Sequence, residues 1–206
     1  MIPFEEIKRY LPQYLSGESQ KELFAELKSF PDNIDQRLYI SSASISTIFQ
    51  GDGFTDMLTI ELPSPEIKPA PVMILSNTCD ISPLIRRFLS IRLVYASIIR
   101  YEEYRRMLLV NIKLKHSKIY DHLESIKKQY VSNMVYLPKG KRLKYDAIVL
   151  LDRINNCPAK IIRKEMVEKQ RLFTLSNYGF YLFLIKISIH FTRIREGVDR
   201  GYWHSV

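Results

Sequence analysis

A short polar stretch, SNTCD at residues 76–80, follows an apolar run and contains residue types found in several kinds of catalytic site. A nucleophilic Cys79 would need a histidine beside its thiol to raise the thiolate fraction. No spacing in the sequence places a histidine next to Cys79; the candidates are His116, His122, His190 and His204. Free cysteine is also a common small buried residue. The stretch is therefore either a thiol-dependent site built from Cys79 and Asp80, or a strand that ends in a turn.

Two carboxylates, Asp80 and Asp152, each follow an apolar run. Asp80 can cap the turn after its strand by accepting backbone N–H groups, or it can stand at the mouth of a site. Asp152 comes directly after AIVLL, and a carboxylate buried in a strand must find hydrogen-bond donors. Because side chains alternate along a strand, Arg153 points to the opposite face. Asp152 therefore either holds a loop in place or orients a substrate or a basic side chain.

Motifs for metal ions and nucleotides are missing from the sequence. It contains neither C-x-x-C nor H-E-x-x-H, and it lacks the glycine-rich loops that bind nucleotide phosphates. His116 and His122 are six residues apart, which does not place them on one face of a helix. We therefore expect no metal ion and no cofactor.

The positive charge of the chain is uneven. The 206 residues carry a formal net charge of +9, yet residues 1–50 have five Lys and Arg against seven Asp and Glu. Basic residues concentrate at 84–118, with Arg86 and Arg87, and at 139–171, with Lys141 and Arg142. Tyrosines interleave with both blocks, and single-stranded RNA stacks on such rings while Lys and Arg hold its phosphates. The blocks predict a surface for nucleic acid or another polyanion, or a basic surface that is simply solvated.

Hydrophobic periodicity divides the chain into a helical start and a mixed body. Two helices are predicted within residues 1–45, the second with Ser19 and Glu22 as a capping box. Helices are also predicted between residues 101 and 130 and from about 177 to 193, the last with Ser176 as N-cap. The predicted strands are GFTDMLTIEL, APVMILSN, LSIRLVYASII, NMVYLP, YDAIVLLDRI and QRLFTLS, with a proline-rich loop from Pro63 to Pro71 between the first two.

These elements predict an α+β protein, mainly β with helices, built on a small, strongly bent barrel. We assign residues 1–45 to a helical N-terminal arm, and residues 46–206 to the barrel with a helical insertion at about 100–144. The tail, with Trp203, either folds back on the barrel or reaches a partner. The most apolar stretch, residues 178–191, has 14 residues, fewer than the roughly 20 that a membrane span needs. With no signal peptide at the N-terminus, we expect a cytoplasmic protein that does not bind membranes.

Three parts of the sequence resemble the MazF/PemK-like proteins. GDGFTDMLTIEL, a loop and APVMILSN resemble the family's opening, in which a Gly-Asp strand leads to R-P-x-V-x-V-x-S-N. YDAIVLLDRINNCPAK resembles its later strand, an apolar run ending in D-Q-x-R-x-x-D, and RLFTLSNYGFYLFLIKI resembles its final strand and helix. The likeness covers about residues 49–99 and 145–192. It implies an SH3-like barrel and, as in many members, a metal-independent endoribonuclease toxin of toxin–antitoxin type.

The resemblance also implies roles for individual residues. Asp152 matches the family's strand aspartate, and Arg153 stands in place of the glutamine after it. Ala70 occupies the position of the arginine that stabilises the phosphate, so Lys68 is the candidate to replace that charge, although an ammonium lacks the planar fork. The family's threonine falls near Ile99. Ser97 lies two residues earlier on the same strand face.

The leading hypothesis is thus an RNA-binding, toxin-like or defence-associated protein that cleaves RNA by activating the ribose 2′-OH. Its catalytic candidates are Asp152, Asp80, Ser97 and Lys68. Its predicted RNA contacts are Ser76, Asn77, Arg153, Arg86, Arg87, Lys141 and Arg142. Single-stranded RNA, an antitoxin or other acidic protein, and a second copy of the chain are the expected partners. The alternatives are a non-catalytic barrel that binds nucleic acid or an acidic protein, and the thiol enzyme described above.

Overall fold

In the computed structural model, the strands of the chain pair to form a sheet. The structure describes residues 17–40, 47–82, 88–111, 115–162 and 164–192. The strands are β1 Gly53–Ile60, β2 Ile67–Ile74, β3 Arg92–Arg100, β4 Met134–Leu137, β5 Ala147–Pro158 and β6 Arg171–Phe173. They form one six-stranded sheet in the spatial order β4-β5-β3-β2-β1-β6, and all of its pairs are antiparallel.

Helices connect and cover these strands. Within the described residues they are α1 Gly17–Lys28, α2 Thr78–Ile81, α3 Tyr101–Val110, α4 His116–Lys127, α5 Lys164–Gln170 and α6 Asn177–Thr192. Short 3-10 turns follow at Gln36–Leu38 and Ala159–Ile161. The α+β prediction is confirmed. The predicted first helix, Arg86 and Arg87, and the tail with Trp203 lie outside the described residues.

The sheet is not closed into a barrel. Its edge strands β4 and β6 have four and three residues, and in the described part of the chain no ladder joins them. Instead, the Arg142 N–H in the β4–β5 loop donates to the Leu172 carbonyl of β6 at 3.0 Å. The end of β1 also curls toward β5, where the Ile60 N–H donates to Asn155 Oδ1 at 2.8 Å. The sheet is thus open but strongly curled.

Strand β5 is covered on both faces. Ala147, Val149 and Leu151 are fully buried in a cluster with helices α1 and α6. Ile148 and Leu150, which alternate with them, pack in a second cluster with helices α3 and α4. A strand buried on both sides is expected to have the continuous apolar sequence that AIVLL shows. Helices α3 and α4 therefore pack on the sheet as a second layer.

Helix α6 begins where the sequence predicts. The Gly179 N–H donates to Ser176 Oγ at 3.1 Å, so Ser176 is its N-cap. Near the middle of the helix, buried Lys186 donates from Nζ to the Gln129 carbonyl at 2.9 Å and also to the Val131 carbonyl. Among the described helices, none is both long and apolar enough to cross a membrane.

The loop predicted from Pro63 to Pro71 is shorter than expected, because β2 begins at Ile67 and contains Pro69 and Pro71. Proline lacks a backbone N–H and is tolerated in a strand where one edge has no partner. The β2–β3 ladder covers Val72 to Ile74, so the first half of β2 pairs with β1 alone. The unpaired edge explains how this proline-rich segment enters a sheet.

A buried ion pair joins the first and last strands of the sheet. Asp52 Oδ2 lies 3.2 Å from Arg171 Nη2, and it accepts the Phe49 N–H at 2.9 Å. Burial raises the pKa of Asp52 to about 6, although the Phe49 N–H, Arg171 and the nearby Thr174 hydroxyl all act to lower it. The Thr174 oxygen is close to this carboxyl but does not have the geometry of a hydrogen bond. The pair fixes β6 against the start of β1.

We expect Arg171→Leu to lower the free energy of unfolding by about 3–5 kcal/mol, because it leaves the Asp52 charge buried without its partner. Urea denaturation followed by circular dichroism measures this. The double variant Asp52→Asn/Arg171→Leu should recover part of the loss. Lys169→Leu, which changes an exposed neighbouring cation, is the control. A loss in Arg171→Leu no larger than in Lys169→Leu contradicts the prediction.

We also expect the stability of the wild type relative to Asp52→Asn to fall as the pH rises from about 4 to about 6. The folded state keeps the Asp52 proton to about pH 6, whereas the ordinary carboxyl loses it near 3.8. The folded state therefore binds more protons than the unfolded state in this range. The free energy of unfolding of the wild type, relative to that of Asp52→Asn, falls by up to about 3 kcal/mol. Denaturation of both proteins from pH 4 to 7.5 tests this; a difference that rises with pH is the contrary result.

Candidate active site at the bulge in strand β5

Strand β5 has an irregular segment opposite Ser97. Ala96 of β3 pairs with Ile154, whereas Ile98 pairs with Val149. One residue of β3, Ser97, therefore faces four residues of β5. Such a bulge bends a strand and re-aims its side chains, and bulges are frequent next to active sites. We call residues 150–153 the β5 bulge.

The β5 bulge carries Asp152 to the surface of the protein. The Asp152 side chain is exposed, and its Oδ2 accepts a hydrogen bond from Asn133 Nδ2 at 3.0 Å. The backbone makes a parallel link, since the Leu151 N–H donates to the Asn133 carbonyl at 2.9 Å. Asp152 is therefore held against the turn before β4 while its carboxylate reaches solvent.

The charge of Asp152 acts on Tyr104, and Tyr104 contacts a histidine. Tyr104 Oη and His122 Nε2 are 2.9 Å apart, which joins helix α3 to helix α4. Burial raises the pKa of Tyr104, and the negative charge of Asp152 raises it further. Both rings are partly exposed. We define these residues as the Asp152 site: Asp152, Asn133, Tyr104 and His122.

The Asp152 site combines three groups that can exchange protons. A carboxylate accepts a proton, a phenol donates a hydrogen bond, and an imidazole can accept or donate a proton. This set can perform general acid–base chemistry on a hydroxyl group. Over the described residues, no group of three or more His, Cys, Asp and Glu side chains is placed to hold a metal ion.

The β1–β2 hairpin supports the bulge from the other side. Arg153 Nη1 lies 2.8 Å from Glu61 Oε1, just beyond the end of β1. Lys68, the predicted replacement for the family's arginine, pairs with Glu66 at 2.8 Å. The hydrogen bond that the Lys68 ammonium donates to Glu66 raises the Lys68 pKa. Both predicted cations thus contact carboxylates of the hairpin, whereas Asp152 contacts the turn before β4.

Ser97 lies at the bulge but inside the protein. It is 4 % exposed, and its Oγ has no hydrogen-bond partner among the described residues. The register places it directly opposite the segment that carries Asp152. The sequence therefore identified two residues of one locality, Ser97 and Asp152. Because the Ser97 hydroxyl is buried, we assign it no contact with a substrate.

Ser76 and Asn77, which the sequence predicts as RNA contacts, accept hydrogen bonds from backbone N–H groups of the protein. Ser76 Oγ accepts the Val94 N–H at 2.7 Å. Asn77 Oδ1 accepts the Cys79 N–H at 2.9 Å, so Asn77 rather than Asp80 caps the short helix α2. A carboxamide can make this bond as well as a carboxylate.

Asp80 and Asp152 belong to different places in the fold. Asp80 lines an open groove of about 840 Å³ at the start of β3, together with Arg92 and the exposed Phe88. Asp152 is not part of that groove. In the described part of the chain, no hydrogen bond joins the exposed Cys79 thiol to a histidine. The geometry thus gives the thiol hypothesis no activated nucleophile.

Two of the predicted basic contacts are in the β4–β5 loop. Lys141 is exposed, with a left-handed backbone (φ 54°). Arg142 donates from Nη1 to the Glu168 carbonyl at 2.8 Å and from Nη2 to the Lys169 carbonyl. Arg142 therefore satisfies the C-terminal end of α5. Its guanidinium has a structural role.

No model of a known protein family matches the chain, and no curated protein does.

Two residues of the Asp152 site, Tyr104 and His122, were missed in the sequence. Spacing along one helix cannot indicate this pair, because Tyr104 and His122 lie on two different helices. Both positions lie in the predicted helical insertion. A polar residue at a position where two amphipathic helices meet would have been the available clue.

We expect Asp152→Asn to lower the pKa of Tyr104, because it removes a negative charge that disfavours the phenolate. The pKa is measured by NMR titration of tyrosines labelled at Cζ. Asp80→Asn, which removes an equivalent charge in the groove at β3, is the control. An equal effect of the two variants on Tyr104 would show that Asp152 does not act on this ring.

Proposed function

We propose that this protein binds single-stranded RNA and cleaves it without a metal ion at the Asp152 site. The observation that carries the proposal is the β5 bulge, which exposes a carboxylate close enough to Tyr104 for its charge to act on the phenol, and Tyr104 in turn contacts His122. A bulge of this size in a strand buried on both faces disrupts a ladder, and such disruptions are retained where they orient functional side chains.

The proposed reaction is a transesterification within the RNA backbone. Asp152 takes the proton of a ribose 2′-OH, whose oxygen then bonds to the adjacent phosphorus. The bond from phosphorus to the 5′ oxygen breaks, and protonated His122 gives its proton to that leaving oxygen. The products are a 2′,3′-cyclic phosphate and a 5′-OH. Before the reaction, the Tyr104 hydroxyl holds the His122 imidazole. When the imidazole is released, the hydroxyl donates a hydrogen bond toward the phosphate.

Charge and family resemblance support the same proposal. The net charge of +9 favours a polyanionic partner. The curl of β1 toward β5 is compatible with the SH3-like barrel of the MazF/PemK-like proteins, which includes many ribonuclease toxins. On this view an acidic antitoxin is the expected protein partner, and the cytoplasm is the expected location. A homodimer is also part of this proposal.

A non-catalytic RNA-binding module is the second candidate, and Ala70 favours it. The position that the family fills with a phosphate-binding arginine holds a half-buried alanine. Lys68, two residues away, is paired with Glu66. Without a cation at this position, the developing charge on the phosphate would have less stabilisation. This candidate predicts RNA binding that weakens steeply with salt and is followed by no cleavage.

We expect single-stranded RNA to be cleaved in EDTA by the wild type, and at least roughly a hundredfold more slowly by Asp152→Asn and by His122→Gln. Each variant has a matched control. Asp80→Asn removes a carboxylate from the groove at β3, and His116→Gln removes an imidazole six residues before His122; both should cleave like the wild type.

Gel analysis of labelled RNA over time provides the rates. Absence of cleavage by the wild type, with binding retained, would favour the non-catalytic module. Equal rates for Asp152→Asn and Asp80→Asn would reject the Asp152 site even if RNA is cleaved.

A further inference from the structure

A cleft of about 630 Å³ lies between helices α3 and α4, and neither Tyr104 nor His122 lines it. We call it the α3–α4 cleft. Arg100 and Arg105 lie on one wall, Tyr120 lies on the other, and Tyr145 closes it from the β4–β5 loop. The volume is in the range of small-molecule sites. None of these residues has a role in the reaction proposed above.

One wall of the cleft presents a flat cationic surface. The Arg100 guanidinium carbon lies 4.5 Å from the centre of the Tyr145 ring, so the guanidinium is stacked on the tyrosine. The Arg100 side chain is 58 % exposed, so a ligand can reach it from solvent. Unpaired RNA bases stack on aromatic rings and on arginine planes. Tyr145 therefore holds a platform on which a base can stack.

The charges of the cleft suit the edge of a base better than a phosphate. Its five lining cations, Arg100, Arg105, Arg106, Lys127 and Lys139, are nearly balanced by four carboxylates, Glu102, Glu103, Glu124 and Asp146. The closest pairs are Arg105–Glu102 2.9 Å, Arg106–Glu102 3.6 Å, Arg100–Glu103 3.9 Å and Lys127–Glu124 3.9 Å. Locally compensated cations attract a phosphate weakly. Carboxylates accept from the amino and imino groups of a base, and guanidinium groups donate to its carbonyl and ring nitrogens. The cleft thus offers donors, acceptors and stacking surfaces together.

We propose that the α3–α4 cleft is a nucleobase-binding pocket, in which one base of single-stranded RNA stacks on the Arg100 guanidinium and reads the neighbouring carboxylates. The proposal rests on RNA being the substrate. It gives the helical insertion a role in choosing where RNA binds. The same two helices carry Tyr104 and His122, so the cleft and the Asp152 site share one helix pair.

The first measurement is binding of a fluorescently labelled eight-nucleotide single-stranded RNA to Asp152→Asn in EDTA, so that the substrate is not consumed. Arg100→Lys is added to this background because it keeps the positive charge and removes the planar guanidinium group. We expect about tenfold weaker binding, within the range measured for loss of one stacked base. Lys118→Ala, which removes an exposed charge on α4 outside the cleft, should weaken binding less than about twofold.

The second measurement uses probes that lack a phosphate. Adenosine, guanosine, cytidine and uridine are titrated into protein with labelled tyrosines, and we expect at least one of them to shift the NMR signals of Tyr145 and Tyr120. Ribose 5-phosphate is the control and should leave them unchanged. Equal binding by Arg100→Lys and Lys118→Ala would overturn the pocket. The pocket would also be overturned if ribose 5-phosphate alone shifted the tyrosine signals, or if none of the probes shifted them.

The two proposals fail in different ways. If RNA is cleaved and Arg100→Lys binds it as Lys118→Ala does, the pocket is wrong and the Asp152 site stands. If nucleosides bind at Tyr145 and RNA is bound through Arg100 but never cleaved, the pocket stands and the protein is a binding module.

Discussion

Strand β5 imposes the constraint on which the rest of the structure depends. It pairs with β3 on one edge and β4 on the other, and helices bury both of its faces. Beyond residue 154 the same strand faces a third group, where Cys157 packs with Tyr95 and Leu93. A strand with a uniform register could not serve these surroundings, since side chains alternate strictly between faces. The register therefore changes within the strand.

The change of register accounts for the position of the polar residues. AIVLL fills the two cores, and the next residues, Asp152 and Arg153, leave the ladder at the point where neither core continues. Asn133 binds Asp152, and Glu61 binds Arg153. Helix α3 then packs Tyr104 against the cluster that contains Ile148 and Leu150, and Tyr104 contacts His122 of α4. The candidate site is thus a consequence of how the sheet satisfies its hydrophobic faces.

Local sequence patterns predicted the strands and helices better than they predicted the site. AIVLL indicated a buried strand because five apolar residues in a row need both faces covered, and Ser176 indicated a helix start through its chemistry. The bulge could not be predicted, because it depends on which residues of β3 lie opposite β5. The Tyr104–His122 contact depends on the packing of two helices. The start of β2 was misread because prolines are compatible with a strand when one edge is unpaired.

The ends of the RNA products test the central claim most directly. Mass spectrometry of fragments produced by the wild type in EDTA should find a 2′,3′-cyclic phosphate, or the phosphate formed when it opens, on one fragment and a 5′-OH on the other. These species should disappear with Asp152→Asn and persist with Asp80→Asn. Fragments that end in a 3′-OH and a 5′-phosphate would contradict the account, because attack by the 2′-OH cannot produce them.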